Sequence, residues 1–517
     1  MFDKVKIILK FSLEIAFSRA KIVKMKNITN ESCFLRLKKS LTSKNKISLI
    51  DKSGQYTQKE AFDIYCGIMN HIKSIVKRGT VCLIAPFIKK ETPLIISAIV
   101  SLGGIVIIGD PKETKDSFIA QTSQFTKIDV LVHFDRKWCF EKRGKTVVLE
   151  LKREKLKVSP FLRASKTRPS FYFYTAGSTG HQRIVALSEY SLFNNIVRQK
   201  QDTGDASSIG YLCLPLHHIF GVAAQLQYLV LGKTAYVSDT RNPDVALDII
   251  EKYRCTTIAN VPAFYYMLID KQNKNKRNIA SLKYGVIAGG SYSTEQYCFI
   301  QDQLNISLCS SYGMTEASTG ITNNAHENDT FIKSKGVGKP LEGTEVVFKD
   351  ENNAINHCEG EICFKGFNLM LGYVTKDGLE LPLDKDGYFH TGDLGKIDED
   401  GIIHIVGRKK NIIIRGGENI SCEALEQKIM KIPCIKDVCV VGIEDEKYGE
   451  IVGAYVASDC FQDEKELLTI INNHLLKSEM VSIIAISERV PVLSTNKHDN
   501  TAIKKMLTAK HSKKIKI

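Results

Sequence analysis

From about residue 46 to residue 330, apolar β-like runs alternate with amphipathic helical stretches, as in the succession Val81–Ala85, Leu94–Gly104, Ile105–Gly109 and Val130–His133. Alternation of this kind predicts layered α/β structure, because each helix buries an apolar stripe against the sheet it crosses. Between Lys333 and Ile405 the texture changes to short β runs punctuated by Gly343, Gly360, Gly366, Gly387, Gly392 and Gly401, which predicts a β-rich subdomain. A polar cluster, Arg408 to Asn411, follows Gly407, and a strand-like Ile412–Ile414 then opens an α+β pattern. The expected fold class is α/β. A large N-terminal domain over residues 1–407 combines layered α/β subdomains with the β-rich subdomain, 408–411 forms a hinge, and 412–517 forms a small α+β domain.

Composition narrows the function classes. Apolar residues make up 43% and charged residues 25% of the 517 residues, which excludes disorder, collagen-like repeats and a membrane bundle. The net charge of +15 comes from 72 Lys and Arg against 57 Asp and Glu, with much of the excess in Lys4 to Lys46 and Lys504 to Lys516. No aromatic interleaving or nucleic-acid fold signature accompanies it, so the expectation is a Lys-rich solvated surface and no nucleic-acid partner. The 14 cysteines are scattered singly, the nearest pairs being Cys358/Cys363 and Cys434/Cys439. That spacing fits neither a zinc motif nor a disulfide scaffold, and it implies free buried thiols in a reducing cytoplasm. The apolar Ile7–Phe17 is interrupted by Lys10 and Glu14. It is too short to span a bilayer and is expected to be an amphipathic helix packed on the first domain, with no integral membrane segment.

Two strings carry chemistry. In Tyr174-Thr175-Ala176-Gly177-Ser178-Thr179-Gly180-His181-Gln182-Arg183, glycines, hydroxyls and one cation follow the β-like Ser170–Phe173. Such a loop suits a polyphosphate, since glycine admits close backbone approach, successive N–H groups form an anion nest, and arginine offsets charge. A plain surface loop has the same composition. It is not a Walker loop, for the Gly-Lys-Ser/Thr ending is missing. In Ser310-Ser311-Tyr312-Gly313-Met314-Thr315-Glu316, an aromatic, a hydroxyl and a carboxylate stand just past the expected end of a strand at Ile306–Cys309, where α/β sheets bind ligands. Tyr312 could stack on a base, Thr315 bond an α-phosphate and Glu316 hold Mg²⁺. A hydrogen-bonded turn is the plainer reading of the same residues.

Two further strings, Gly387-Tyr388-Phe389-His390-Thr391-Gly392-Asp393 and Gly407-Arg408-Lys409-Lys410, complete an ordered set. The set resembles the ANL superfamily of adenylate-forming enzymes, which includes acyl-CoA and aryl-CoA synthetases, peptide-synthetase adenylation domains and luciferases. The resemblance covers approximately residues 45 to 510.

It implies that Thr175, Ala176, Gly177, Ser178, Thr179, Gly180 and Arg183 form the phosphate loop, although Gln182-Arg183-Ile184 stands where the family usually has Pro-Lys-Gly. Thr175 and Glu316 would hold Mg²⁺. Ser311, Tyr312, Gly313, Met314 and Thr315, with Gly289 and Gly290, would line the nucleotide site. Asp393 would hold the ribose hydroxyls together with Arg408. In Leu214-Pro215-Leu216-His217-His218-Ile219-Phe220-Gly221, His218 would lie against the substrate carboxylate. Val222, Ala263, Phe264 and Ser310 would line an acyl pocket, with Asn260-Val261-Pro262 nearby. Lys410 would be the hinge about which a mobile small domain turns. Lys497, preceded by Asn496 where the family commonly has glycine, would be the catalytic lysine. Gly416 and Gly417 would leave room for a pantetheine arm.

The implied reaction is ATP- and Mg²⁺-dependent conversion of an aromatic or fatty acid into an acyl-AMP, followed by transfer to coenzyme A. Gly221 to Leu231 contains no Asp or Glu, which disfavours an amino-acid substrate. Two alternatives accompany this expectation. One is loading of a carrier-protein phosphopantetheine, with an acyl carrier protein as partner in secondary metabolism. The other is a degenerate ligand-binding homologue, suggested by Gln182-Arg183-Ile184 and Asn496.

Overall fold

The computed structural model describes residues 28–515 except 86, 112–113, 143–144, 177–181, 200–206, 291, 326–329, 416–417, 446–447 and 493–497. The expected helix at Ile7–Phe17 lies outside the described residues.

Strands Val81–Ile84, Ile105–Ile108, Thr234–Val237 and Thr257–Asn260 are buried at every position, as strands are when helices cover both faces of a parallel sheet. They belong to two nine-stranded sheets. The first has a parallel centre of Thr234–Val237, Ile209–Leu212, Thr257–Asn260, Tyr284–Ile287 and Ser307–Met314. The second joins Val130–Asp135, Val81–Ile84, Ile105–Ile108 and Pro169–Ala176 in parallel, then adds Gln182–Ser188 and Gly372–Thr375 antiparallel.

The stretch Leu94–Gly104 corrects one expectation. It forms helix Thr92–Ser101 with every residue buried, so it has no polar face. It packs on helix Ile219–Val230, and one core takes side chains from both helices and both sheets. A helix enclosed in this way is apolar all round rather than striped.

The β-rich expectation is met by a five-stranded antiparallel sheet that includes Thr344–Lys349, Glu359–Gly366, Phe389–Ile397 and Ile403–Arg408. A 3₁₀ turn, Lys409–Asn411, leads from it into a small domain with its own sheet. Helices Cys422–Ile429 and Glu464–Asn473 cover one face of that sheet and Asn500–Ile515 the other. The small domain rests against the strand it leaves. Ser421 Oγ donates to the Val406 carbonyl at 2.8 Å, Asn411 Nδ2 donates to Glu423 Oε1 at 2.6 Å, and Lys431 lies 3.3 Å from Glu295 across the two bodies.

Most cysteines are buried free thiols, but Cys358, Cys434 and Cys460 are exposed. No described helix is long and apolar enough to cross a membrane.

Candidate functional site

The expected phosphate string begins and ends in two antiparallel strands, Pro169–Ala176 and Gln182–Ser188. Thr175 and Ala176 end one strand and pair with Arg183 and Gln182 of the next, so the two ends of the string are extended backbone rather than loop. Gly177, Ser178, Thr179 and Gly180 lie outside the described residues. Arg183 is exposed beside the hairpin, with its guanidinium 4.9 Å from the Tyr373 ring centre. Strand Gly372–Thr375 carries Tyr373 to this place by pairing with Val185 and Ala186.

The second string is also strand. Ser307–Met314 is continuous, and Ser311 to Met314 does not lie past its end. Through Ser310 it pairs in parallel with Tyr284–Ile287, and beyond that it pairs antiparallel with Thr319–Asn323. The new partner extends the strand where the sequence suggested that it stopped. Close pairing leaves no room for a side chain at Gly313, where an added Cβ would stand 1.6 Å from the Thr319 carbonyl oxygen. Ser311 donates its hydroxyl to the Thr322 carbonyl at 3.0 Å. Thr315 opens a 3₁₀ turn, and Glu316 within it is buried. The Glu316 carboxylate accepts a 3.0 Å bond from the Tyr373 hydroxyl, and burial raises its pKa.

Tyr312, Asp393 and Arg408 meet. The Tyr312 hydroxyl donates to Asp393 Oδ2 and Arg408 Nε to Asp393 Oδ1, both at 2.7 Å. Asp393 is buried, and its charge raises the Arg408 pKa. Burial and then the Asp393 charge push the Tyr312 phenol well up, so it stays a donor. The turn before Asp393 is itself held, since Thr391 Oγ1 donates to the Ile362 carbonyl at 2.7 Å and accepts the Asp393 N–H at 3.0 Å.

Beneath this turn lies a charge network that the sequence reading missed. Glu361 Oε1 accepts the Gly392 N–H at 3.0 Å, and its Oε2 accepts a 3.1 Å bond from Lys409, next to the expected hinge residue. The two ring nitrogens of His390 stand 3.0 Å from Glu361 and 3.1 Å from Asp384. Lys349, fully buried, donates to Asp384 at 2.6 Å and Asp386 at 2.7 Å. Burial opposes ionisation of Glu361, but the His390 and Lys409 bonds hold its pKa below the usual range.

After strand Ile209–Leu212 of the first sheet, His218 takes the N-cap position of helix Ile219–Val230, with its ring centre 4.1 Å from that of His217. The spacing Pro215, His218, Gly221 has a geometric basis. The His218 N–H donates to the Pro215 carbonyl at 3.3 Å, the Gly221 N–H to the His218 carbonyl at 3.1 Å, and a Cβ at Gly221 would stand 2.2 Å from the Pro215 oxygen. Val222 is fully buried in the shared core, and Phe264 packs into a second core beneath the first sheet. Ala263 is exposed on helix Pro262–Lys274. Ser310 is buried and donates its hydroxyl to the Gly336 carbonyl at 3.0 Å. Of the expected pocket residues, His218 and Ala263 therefore present surface in this arrangement, while Val222, Phe264 and Ser310 are committed to packing or backbone bonds. Gly289 has a φ of +75°, and Gly290 lies beside Pro262, the residue that starts the helix carrying Ala263.

Lys410 is exposed within the 3₁₀ turn between the two bodies. Gly416, Gly417 and Lys497 lie outside the described residues. Tyr373 and Glu361 were absent from the sequence expectation. The available signals were an aromatic directly after Gly372 and a carboxylate directly after Gly360.

A profile of the AMP-binding enzyme family matches residues 39–374. The chain is 31% identical over 292 residues to a putative acyl-CoA synthetase, YngI, of Bacillus subtilis, covering 55% of this chain and 53% of that protein. It is 33% identical over 296 residues to the acyl-CoA ligase sidI of Aspergillus fumigatus, covering 55% and 50%. These matches span about half the length of the curated relatives. The ATP-bound structure of MatB from Rhodopseudomonas palustris shares the fold, with a TM-score of 0.80 over 93% of this chain and 99% of that one at 21% identity.

Proposed function

Because this chain belongs to the AMP-binding enzyme family, we propose that it activates a carboxylic acid with ATP, forming an acyl-AMP and pyrophosphate, and passes the acyl group to coenzyme A. The observation that carries the reading is the meeting of Tyr312, Asp393 and Arg408. A buried carboxylate held by a phenol and a guanidinium, beside a partly exposed turn, is a paired acceptor suited to vicinal hydroxyls.

The acid's carboxylate attacks the α-phosphorus, a new C–O–P link forms, and the bond to pyrophosphate breaks. This chemistry needs placement and charge neutralisation more than a protein nucleophile. Arg183 supplies a cation at the hairpin, His218 faces the substrate carboxylate, and Lys497 bridges that carboxylate and the α-phosphate as charge develops. Buried Glu316 and the adjacent hairpin offer hard oxygen donors of the kind Mg²⁺ prefers, and Glu316 with Thr175 would hold an ion whose role is to neutralise phosphate charge. In the second half-reaction the small domain turns about Lys410 and presents the 416–417 segment to the thiol. The apolar helix Ile219–Val230 carries no Asp or Glu of its own to hold an α-amine, which favours an aromatic or fatty acid and a place in the cytoplasm's acyl metabolism.

The test is pyrophosphate exchange across a panel of aromatic and medium-chain acids, followed by mass detection of the coenzyme A thioester. We expect exchange with at least one acid, and we expect Lys497→Ala to abolish it while sparing thioester formation from premade acyl-AMP. No exchange with any acid would overturn the reading in favour of a non-catalytic homologue. Exchange without a coenzyme A thioester, but with transfer to a carrier protein, would replace only the acceptor.

A further inference from the structure

Three segments of the small domain converge on one spot, buried at Cys439 and half-buried at Glu426 and His498. Glu426 comes from helix Cys422–Ile429, Cys439 from strand Ile435–Asp445, and His498 from the chain entering helix Asn500–Ile515. One ligand-type atom of each lies within 4.8 Å of the other two. The backbone on both sides is pinned, since His498 pairs with Val492 in an isolated bridge and the Asp499 N–H donates to the Pro491 carbonyl at 2.9 Å. Both oxygens of Asp437 lie 3.0 Å from His498 Nε2. A carboxylate on one imidazole nitrogen, with the other nitrogen turned to a ligand, is the usual support of a metal-binding histidine.

A second trio of the same composition, Glu361, Cys363 and His390, provides an internal comparison. There the negative charge is already met by ammonium groups, because Lys409 bonds Glu361 and Lys349 bonds Asp384. Around Glu426 and Cys439, by contrast, no lysine or arginine among the described residues bonds to either group. Glu426 Oε1 accepts the Val440 N–H at 2.8 Å, and the Cys439 thiol donates to Asn500 Oδ1 at 3.4 Å.

We propose that Glu426, Cys439 and His498 bind a zinc ion, with Nδ1 of His498 as the imidazole ligand, Asp437 orienting the ring from Nε2, and a water in the fourth position. Thiolate, imidazole and carboxylate together select zinc over calcium or magnesium, which take oxygen ligands. The side chains close in by roughly 1 Å to reach tetrahedral zinc distances. The thiol proton, the carboxyl proton and the Nδ1 proton of the His498 imidazolium leave to solvent as the ion enters, so the trio ends as two anions and a neutral ring around a dication. His498 directly follows Lys497 in the chain, and the zinc proposal is decided by metal binding alone, whatever the exchange assay shows.

The full chain, without a histidine tag, is stripped with a chelator and titrated with Zn²⁺ and, separately, Co²⁺. We expect one zinc retained per chain, one sulfur in its X-ray absorption spectrum, and a thiolate-to-cobalt charge-transfer band. Cys439→Ser and His498→Gln should each weaken zinc about 100-fold or more, and Asp437→Asn about 10- to 100-fold, whereas Cys363→Ser, Cys434→Ser and Cys460→Ser should not. Absence of retained zinc, a sulfur-free coordination shell, or unchanged affinity in Cys439→Ser overturns the proposal. The cobalt band reads the wild-type protein, so a variant that fails to fold does not decide the matter.

Discussion

Asp393 accepts one bond from a phenol and one from a guanidinium, so its charge, more than its shape, holds the cluster together. In Asp393→Asn the volume is kept and one amide edge faces a donor. ATP affinity should fall at least about tenfold, or ~1.4 kcal/mol, by titration calorimetry, with little change in unfolding midpoint. Glu189 shows the opposite electrostatics. It is buried beside the Cys33 N–H, and burial lifts its carboxyl from 4.5 to about 7. The folded state then binds a proton that the unfolded state has lost. Stability present at low pH is therefore lost as pH rises from 4.5 towards 7, at a limiting slope of about 1.4 kcal/mol per pH unit. Glu189→Gln should remove that share of the slope in urea titrations across this range. At this scale the sequence was legible where chemistry is carried by residue type within a short string, as at Tyr312, Asp393 and Arg408. It was not legible at Tyr373, whose partner Glu316 is 57 positions away and is reached only by strand pairing.

Among elements, the strand pairs decide more than local pattern does. Ser307–Met314 changes partner after Ser310, and no propensity within Ser311 to Met314 announces that a hairpin partner will extend it. The same limit applies to helix Thr92–Ser101, whose enclosure by two sheets and a neighbouring helix is a tertiary fact. The alternating α/β texture and the β-rich stretch were readable because each is a repeated local signal. A sheet-level prediction concerns Lys349, which ties Asp384 and Asp386 under the Asp393 turn. Lys349→Met leaves Asp384 buried without its ammonium, and should cost about 3–5 kcal/mol in chemical unfolding. ATP affinity should weaken as well, because Asp384 reaches Gly392 through His390 and Glu361.

Across the whole molecule, the small domain is attached, among the described residues, by a short turn and polar contacts rather than by a shared core. Interfaces of this kind permit relative motion. Lys410→Pro fixes one backbone angle in that turn. On the proposed reaction it should slow thioester formation about tenfold or more, ~1.4 kcal/mol of barrier, while leaving pyrophosphate exchange near wild type in stopped assays of each half-reaction.

The Asp393–Arg408 bond sits one residue before that turn. If the same carboxylate also receives a nucleotide's ribose, then substrate and hinge compete for two oxygen atoms. An empty site would leave those oxygens to anchor the strand that leads to the small domain, and a loaded one would divide them. The turn would thus sense its cargo through a single side chain, and the order of the two half-reactions would be written into the valence of Asp393.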